Sequence, residues 1–491
     1  MKIESSTRIS IPGPIHVEDR GDDRLFVSQE TGGWWVCDDQ LVKSLMGTMM
    51  ARGTEGASLQ EASEQIGSTP ERVWEVARPL FDKGVLAVET RVRSTSSARP
   101  LGMLPISPKT GTHNAYPALG VFHVHNWCNL ACSYCYTMEA GIVRQTMTLE
   151  RMVRGIDQLF ELPTNRVNVE FHGGEPTMAM KLIKDATAHA QRRSEQTGKP
   201  VDFSIQTNGY LLTEDTCEFF LRNSFSVRVS LDGTQETHDE FRRNHAGRGS
   251  YLGVVKGIRR LQEAGLEVHA VCVVHNGNKQ LIKEMYDSMA GLKVTSIRFL
   301  PVFESGSAGN EDWLDGDTWF QVYTGLLQHV LERAKTGEQL PPLANLTAGE
   351  IGSLRSFKRE YMCMRNPCGA GTNMVAIDTN GDLYPCEEMV GKPEFVLGNI
   401  DTDDLKQCLD TSPLMGQLRA RHVDEIEDCR VCPWKQMCHG GCVHKSYTHF
   451  KVLDRESEHC AYYKRIYREL IWMEREAPGT WQILSPSPAV A

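Results

Sequence analysis

No run of apolar residues in this 491-residue chain approaches the roughly 18–20 needed to cross a bilayer. The N-terminus, MKIESSTRISIPGP, has no apolar core of the signal-peptide type. These two absences make the cytoplasm the expected location and remove the membrane from the expected partners. An excess of positive charge is missing too: 53 Lys and Arg stand against 63 Asp and Glu, a formal charge of -10. A nucleic-acid binder would carry a basic face, so nucleic acid is not an expected partner. No repeat of the array kind is present. What remains is an ordinary globular composition, 40% hydrophobic and 24% charged, in a chain long enough for about two to four domains.

Cysteine is where the sequence departs from the average, with 15 residues. In a cytosolic chain of this size, metal binding explains them better than disulfides. Cys37, Cys217, Cys272 and Cys408 sit alone and read as small buried hydrophobes. The others gather around Cys128–Cys135 and between Cys363 and Cys460.

Along the chain, residues 1–93 carry no metal-like cysteine spacing. Arg24 to Ser28 and Trp34 to Cys37 read as a hairpin across a polar, Gly-rich turn. Three amphipathic helices are expected next: Gln40 to Ala51, Ser58 to Ile66 with Ser58 as N-cap, and a third that opens at Pro70 and ends at Gly84. With a returning strand at Val85–Glu89 this describes a winged-helix-like domain. Residues 94–116, rich in Ser, Pro, Gly and Thr, read as a linker. From 117 to 310 apolar strands alternate with helices, which implies parallel strands and right-handed crossovers. Six such units give an α/β fold, an open partial (β/α)6 barrel. A helical connection is expected over 311–362, a Cys-rich domain over 363–465 and a tail over 466–491.

After the first barrel strand comes His125-Asn-Trp-Cys128-Asn-Leu-Ala-Cys132-Ser-Tyr134-Cys135. Three thiolates at C-x3-C-x2-C can hold three irons of a [4Fe–4S] cube and leave the fourth open to an exogenous ligand. A structural zinc would want a fourth protein ligand, and none is adjacent. The motif closely resembles the signature of the radical S-adenosylmethionine (SAM) superfamily, and the resemblance continues strand by strand. Val169-Glu-Phe-His-Gly173-Gly174-Glu175-Pro176 is similar to the segment that holds the SAM amino group, with Glu175 able to pair with an amine. Asn208 in Gln206-Thr-Asn-Gly209, with Ser230 and Asp232 after the fourth strand, look like contacts to the ribose and carboxylate of SAM. Arg242 lies in a matching His-Asp-x-x-Arg segment, and Leu300, on the sixth strand, would lie near the adenine. His238 reads as a structural cap.

Cys368-x12-Gly381-x4-Cys386, followed by Cys429-x2-Cys432-x5-Cys438-x3-Cys442 and Cys460, resembles the SPASM cysteine pattern, with Cys363 just upstream. Cys429-x2-Cys432 alone would also fit zinc. The resemblance implies two further cubes, three [4Fe–4S] clusters in all. One would take Cys363, Cys368, Cys386 and Cys442; the other would take Cys429, Cys432, Cys438 and Cys460. Together these features resemble maturases of ribosomally made peptides, relatives of the anaerobic sulfatase-maturating enzymes, with a PqqD-like peptide-recognition domain at residues 24–89. The implied reaction is cleavage of SAM to a 5′-deoxyadenosyl radical and hydrogen abstraction from a precursor peptide or protein. A flavodoxin- or ferredoxin-type donor would supply electrons. A thioether or carbon–carbon crosslink is the expected product, and oxidation of Cys or Ser to formylglycine the alternative. A multi-cluster electron carrier or a zinc-stabilised binding protein is the reading from another class. Sulfatase maturases carry an Asp after the cysteine that matches Cys386; here Glu387 stands there, as a candidate base or a solvated charge.

Overall fold

The computed structural model describes residues 4–89, 116–135, 144–302, 312–356 and 361–486. The expected linker lies outside the described residues, apart from Tyr116. The chain divides into two compact units. The first holds residues 1–111, 353–359 and 422–440; the second holds 112–352, 360–421 and 441–491. Among the described residues no helix is long and apolar enough to cross a membrane.

In the first unit, strands β2 (Ile15–Arg20), β3 (Asp23–Ser28) and β4 (Trp34–Cys37) form an antiparallel meander. The expected hairpin is therefore two-thirds of a larger sheet. Ile15–Arg20 escaped the sequence reading because its Ile and Val alternate with His, Glu and Asp, as suits an edge strand. The short strand β1 (Arg8–Ser10) pairs with both β5 (Ala57–Ser58) and β6 (Ala87–Glu89) in a second sheet. Helices α1 (Gln40–Arg52), α2 (Leu59–Ile66) and α3 (Pro70–Asp82) fall where the periodicity puts them. Ser58 caps α2 in a reciprocal capping box with Glu61. Leu45, Met46, Leu59, Val73 and Leu80 meet Ile9 and Phe26 in the core. Residues of the 353–359 and 422–440 segments join this unit; the Trp34 indole donates to the Leu354 carbonyl at 3.1 Å.

The second unit is built on six parallel strands: β7 (Leu119–His125), β8 (Val167–Gly173), β9 (Val201–Thr207), β10 (Ser226–Ser230), β11 (Val268–Val274) and β12 (Ser296–Pro301). They pair in sequence order, each crossing over through a helix or helices: α4 (Leu149–Glu161), α5 (Met180–Thr197), α6 (Glu214–Arg222), α7 (Gln235–Phe241) with α8 (Tyr251–Glu263), and α9 (Ile282–Gly291). Alternation along each strand sends Val169 and Phe171, Phe203 and Ile205, Val227 and Val229, and Ile297 and Phe299 into the helix layer, where all are buried. The other face carries His123, Glu170, His172, Ser204, Gln206, Arg228, Ser230, His269 and Arg298, a polar lumen.

The sheet does not stop at the barrel. Strand β13 (Met374–Ile377) adds parallel to β7, and β14 (Asp382–Tyr384) and β15 (Gly398–Asn399) extend it antiparallel, giving nine strands. Arg151 of α4 holds this extension, bonding Asp401 and the Thr379 carbonyl. A helix over Cys460–Glu476 packs along Gly316–Ala334.

Candidate active site

The loop after β7 carries Cys128, Cys132 and Cys135, and the ends of the neighbouring strands brace it. Gly173 and Gly174 lie so close to that loop that a Cβ on Gly174 would stand 1.9 Å from the Trp127 carbonyl oxygen. The two glycines thus admit the backbone of the cysteine loop itself. Asn208 donates to Cys128 Sγ at 3.4 Å and to Asn129 Oδ1 at 2.8 Å.

Two of the expected SAM contacts are also engaged within the protein. Glu175 is fully buried, and its carboxylate accepts from Thr177 N, Thr177 Oγ1, Thr207 Oγ1 and Asn208 N. Burial pushes its pKa up and these four bonds pull against it. Through these bonds Glu175 ties β8 to β9. Asp232 is also fully buried. It pairs with Arg242 Nε at 2.7 Å, takes the Tyr134 hydroxyl and the Val273 N–H, and so braces the arginine. Burial raises its pKa, but Arg242 beside it outweighs that and holds the carboxyl below the usual range. Arg242 stacks over the Tyr134 ring at 5.3 Å, and its charge pulls the pKa of the Cys132 thiol down against burial. His238 is a structural cap, as expected, bonding Asp232 N and Ser250 Oγ. Ser230 accepts from Gln206 at 3.1 Å, and Leu300 at the end of β12 is 40% exposed.

Inside the lumen a second group of polar residues converges. Glu170, His172 and Glu387 bring one ligand atom each to within 4.8 Å of one another. His172 Nε2 is 3.9 Å from Glu387 Oε2, and Glu387 keeps 26% of its side chain exposed. Arg228 Nη1 and Ser204 Oγ both donate to Glu170, at 2.8 and 2.9 Å. Burial and then the Glu170 charge push the Glu387 carboxyl up to about 7, against the pull of Arg228 and Arg298. His172 stacks on His123 at 5.5 Å, and burial lowers the pKa of both, so both are neutral at physiological pH. Glu387 is therefore no solvated surface charge. Glu170, His172, Arg228 and Arg298 were missed in the sequence. The available signal was the alternation itself: a parallel strand covered on both faces should be continuously apolar, and Val-Asn-Val-Glu-Phe-His is not.

Below this group, Cys363, Cys368, Cys386 and Cys442 lie within electrostatic reach: Cys442 and Cys368 raise the pKa of Cys363, Cys442 and Cys363 that of Cys386, and Cys368 that of Cys442. Burial is the larger cause throughout. The same holds at the barrel mouth, where burial and neighbouring thiols push Cys128 up to about 12 and Cys132 to about 11. Buried sulfurs packed against sulfurs are a poor place for free thiolates and a fitting one for a group that brings its own positive charge. Soft thiolate sets of this kind suit iron–sulfur clusters or zinc. Cys429, Cys432 and Cys438 are buried in the first unit, and Cys460 belongs to the second. All four lone cysteines are buried, as expected.

Residues 122–289 match the Radical SAM superfamily, and residues 368–433 match the SPASM iron–sulfur cluster-binding domain. The chain is 28% identical over 334 residues to the serine-type anaerobic sulfatase-maturating enzyme of Bacteroides thetaiotaomicron, covering 64% of this chain and 80% of that protein. Among solved structures, native anSMEcpe with bound AdoMet and Cp18Cys peptide aligns with a TM-score of 0.63 at 19% identity, over 73% of this chain and 100% of that one. Streptococcus suis SuiB bound to precursor peptide SuiA aligns at 0.52 and 16% identity, over 91% of this chain and 98% of that one. The fold is the radical SAM fold with a SPASM domain, and the two domains imply [4Fe–4S] clusters and SAM as cofactors.

Proposed function

We propose that this protein, a radical SAM enzyme with a SPASM domain, oxidises a Ser or Cys side chain of a peptide or protein substrate in the manner of the sulfatase maturases. Glu387 carries the reading. It follows Cys386, reaches the lumen beside Glu170 and His172, and has a carboxyl pushed up to about 7, where a general base works best near neutral pH. The relationship to sulfatase-maturating enzymes supports this over the crosslinking expected from the sequence.

In this reading Cys128, Cys132 and Cys135 hold the SAM-cleaving cluster. Cys363, Cys368, Cys386 and Cys442 hold a second, and Cys429, Cys432, Cys438 and Cys460 supply the ligands of a third. Bound there, the clusters and SAM supply removal of one hydrogen atom from the substrate β-carbon. Completing a two-electron oxidation then requires one proton and one electron to leave the substrate. Glu387 takes the proton, and the neutral His172 beside it offers an onward path. Gly173, Gly174, Asn208, Ser230 and Leu300, at the strand ends, line the space for SAM. Arg242, Asp232 and Tyr134 hold the loop that bears the cysteines. A chain with fifteen free cysteines suits the reducing cytoplasm, and a flavodoxin- or ferredoxin-type protein would deliver the first electron.

The test is anaerobic turnover with SAM, dithionite and synthetic peptides bearing Ser or Cys deuterated at the β-carbon. Deuterium should appear in 5′-deoxyadenosine, and an aldehyde in the peptide. Deuterium drawn from another position, with no aldehyde, would overturn the reading.

A second reading rests on the first unit. Its meander ends in the edge strand β2, beside the three-helix core, and an edge strand can take up an extended peptide. Residues 24–89, together with β2, would then capture a leader segment of the substrate, as a peptide-recognition domain does. Removal of residues 1–93 should leave SAM cleavage intact and sharply reduce modification of a full-length precursor; unchanged turnover would rule this out.

A further inference from the structure

The cysteine loop is backed by the segment that follows α7. Ala131 N donates to the Arg243 carbonyl at 2.7 Å and Ser133 N to the Phe241 carbonyl at 3.1 Å. Leu130 bridges Asn244, and His245 Nε2 lies 2.9 Å from the Cys128 carbonyl oxygen. Asn244 Oδ1 accepts from Ala246 N and Arg248 N, both at 3.0 Å, which holds residues 244–248 in a tight turn. Helix α8 begins just beyond it, at Tyr251.

This segment is charged against the rest of the chain. From Phe241 to Gln262 there is no Asp or Glu, while the whole chain carries -10. Of its cations, Arg242 is engaged with Asp232 and Arg260 with the Leu212 carbonyl. Arg243, Arg248, Lys256 and Arg259 are exposed, and none is in an ion pair among the described residues. Leu252, Lys256 and Arg259 recur at i, i+4 and i+7, so they share one stripe of α8. Leu252 is 69% exposed. The Tyr210 ring packs on the adjacent Gly253, where a Cβ would come within 2.4 Å of it, so the exposed Tyr210 and Leu211 lie beside Leu252. Tyr210 N in turn donates to Asn208, whose amide reaches Cys128 Sγ. The Cys429–Cys432 loop is the opposite in sign: exposed Glu425, Glu427 and Asp428 outnumber the exposed Arg430.

Exposed apolar side chains among unpaired cations suit a docking site, and opposite charge steers a partner onto it. Electron-transfer encounters need only a small patch. We propose that Arg243, Arg248, Lys256, Arg259 and Leu252 form the docking face for an acidic electron-donor protein, which, on the reading of Cys128, Cys132 and Cys135 as cluster ligands, passes one electron to the group they hold. The donor leaves oxidised by one electron. For a flavin donor, the hydroquinone anion becomes the neutral semiquinone, so no proton has to move.

The experiment compares the reconstituted full-length enzyme with the triple variant Arg248→Glu, Lys256→Glu, Arg259→Glu, with iron counted in each. Formation of 5′-deoxyadenosine from SAM is driven either by a reduced flavodoxin of net negative charge or by reduced methyl viologen. The flavodoxin-driven rate should fall about tenfold in the variant at low salt, and the viologen-driven rate should not change. Added NaCl should slow the flavodoxin reaction of the wild type and not that of the variant. Calorimetry with oxidised flavodoxin, which needs no turnover, should show binding weakened about tenfold. A wild-type flavodoxin rate and affinity in the triple variant would overturn the proposal, as would a wild-type reaction indifferent to salt. Should the triple variant lose iron, Leu252→Asn decides, with the same selective loss expected and wild-type behaviour fatal. Loss of substrate oxidation under methyl viologen, with flavodoxin-driven SAM cleavage intact, would give this face to the substrate and overturn the proposal too. No 5′-deoxyadenosine from the wild type with either reductant would instead sink the reading of the three cysteines, and failure of the Ser or Cys oxidation reading would leave these rates as they are.

Discussion

At the ends of the barrel strands, Asp232, Arg242 and Tyr134 are committed to one another, and Glu175 to four donors from Thr177, Thr207 and Asn208. In the lumen that the same strands line, Glu387 keeps a quarter of its surface open, and His123 Nε2 meets no hydrogen-bond partner among the described residues. One region spends its polar atoms on holding a loop in place. The other leaves polar atoms available for something that arrives. The motif residues that announce the family in the sequence belong mostly to the first region, and the residues that would meet a substrate belong mostly to the second.

The contrast can be broken at either end. Replacing Cys128, Cys132 and Cys135 together with Ala should abolish 5′-deoxyadenosine formation and leave roughly two-thirds of the iron, three cubes becoming two; chromatography and an iron assay read both, and residual SAM cleavage would refute the assignment. Asp232→Ala tests the self-contained region. Removing one partner of a buried ion pair costs about 3–5 kcal/mol, so loss of soluble, thermally stable protein is expected, and a melting curve like that of the parent would make Asp232 a ligand contact after all. Glu387→Gln tests the open region and should do the reverse. The fold, iron and SAM cleavage survive, while substrate oxidation falls on the order of 10²–10³ fold, seen as 5′-deoxyadenosine formed without product; parallel losses in both would place Glu387 with the scaffold.

The smallest effect is expected at Glu350, which combines both characters: Tyr462 donates to one of its oxygens and the other has no partner among the described residues. Burial raises its pKa from 4.5 to about 7. Between those values the folded state binds more protons than the unfolded one, so stability falls as pH rises through that window and levels off above it. Glu350→Gln keeps the acceptor for Tyr462 and does not titrate. It should gain on the order of 1–2 kcal/mol over the parent at pH 8, and the gain should fade toward pH 5. Anaerobic thermal melts across that range would show it, and a difference that does not vary with pH would refute it.

The barrel was legible because a strong period-2 and period-3.6 alternation runs from Leu119 to Pro301 with helix caps at Thr148, Thr213 and Thr234. The cysteine loop was legible from spacing alone. The internal partners of Glu175 and Asp232 were not, because a carboxylate after a strand carries no mark of the donors that will surround it. Nor was the pairing of Met374–Ile377 with β7, since four apolar residues far along the chain carry no mark of the edge they will cover. Residues 422–440 joining the N-terminal segment is likewise a tertiary event, made by contacts such as that of His16 with Trp434.

That pairing of β13 with β7 acts as a ruler. β7 leads directly into Cys128, and the β13–β14 hairpin lies between Cys368 and Cys386. The register Met374 to Leu119 through Ile377 to Phe122 therefore sets the separation of the two cysteine sites by a hydrogen-bonded ladder, whatever the length of chain that joins them. Insertions between β12 and β13 could lengthen that path without moving one site against the other, while a slip of a single residue in the ladder would turn every side chain of β13 to the opposite face. Evolution can thus rebuild the connecting segment, and with it the shape offered to a substrate, while the spacing of the redox sites stays locked.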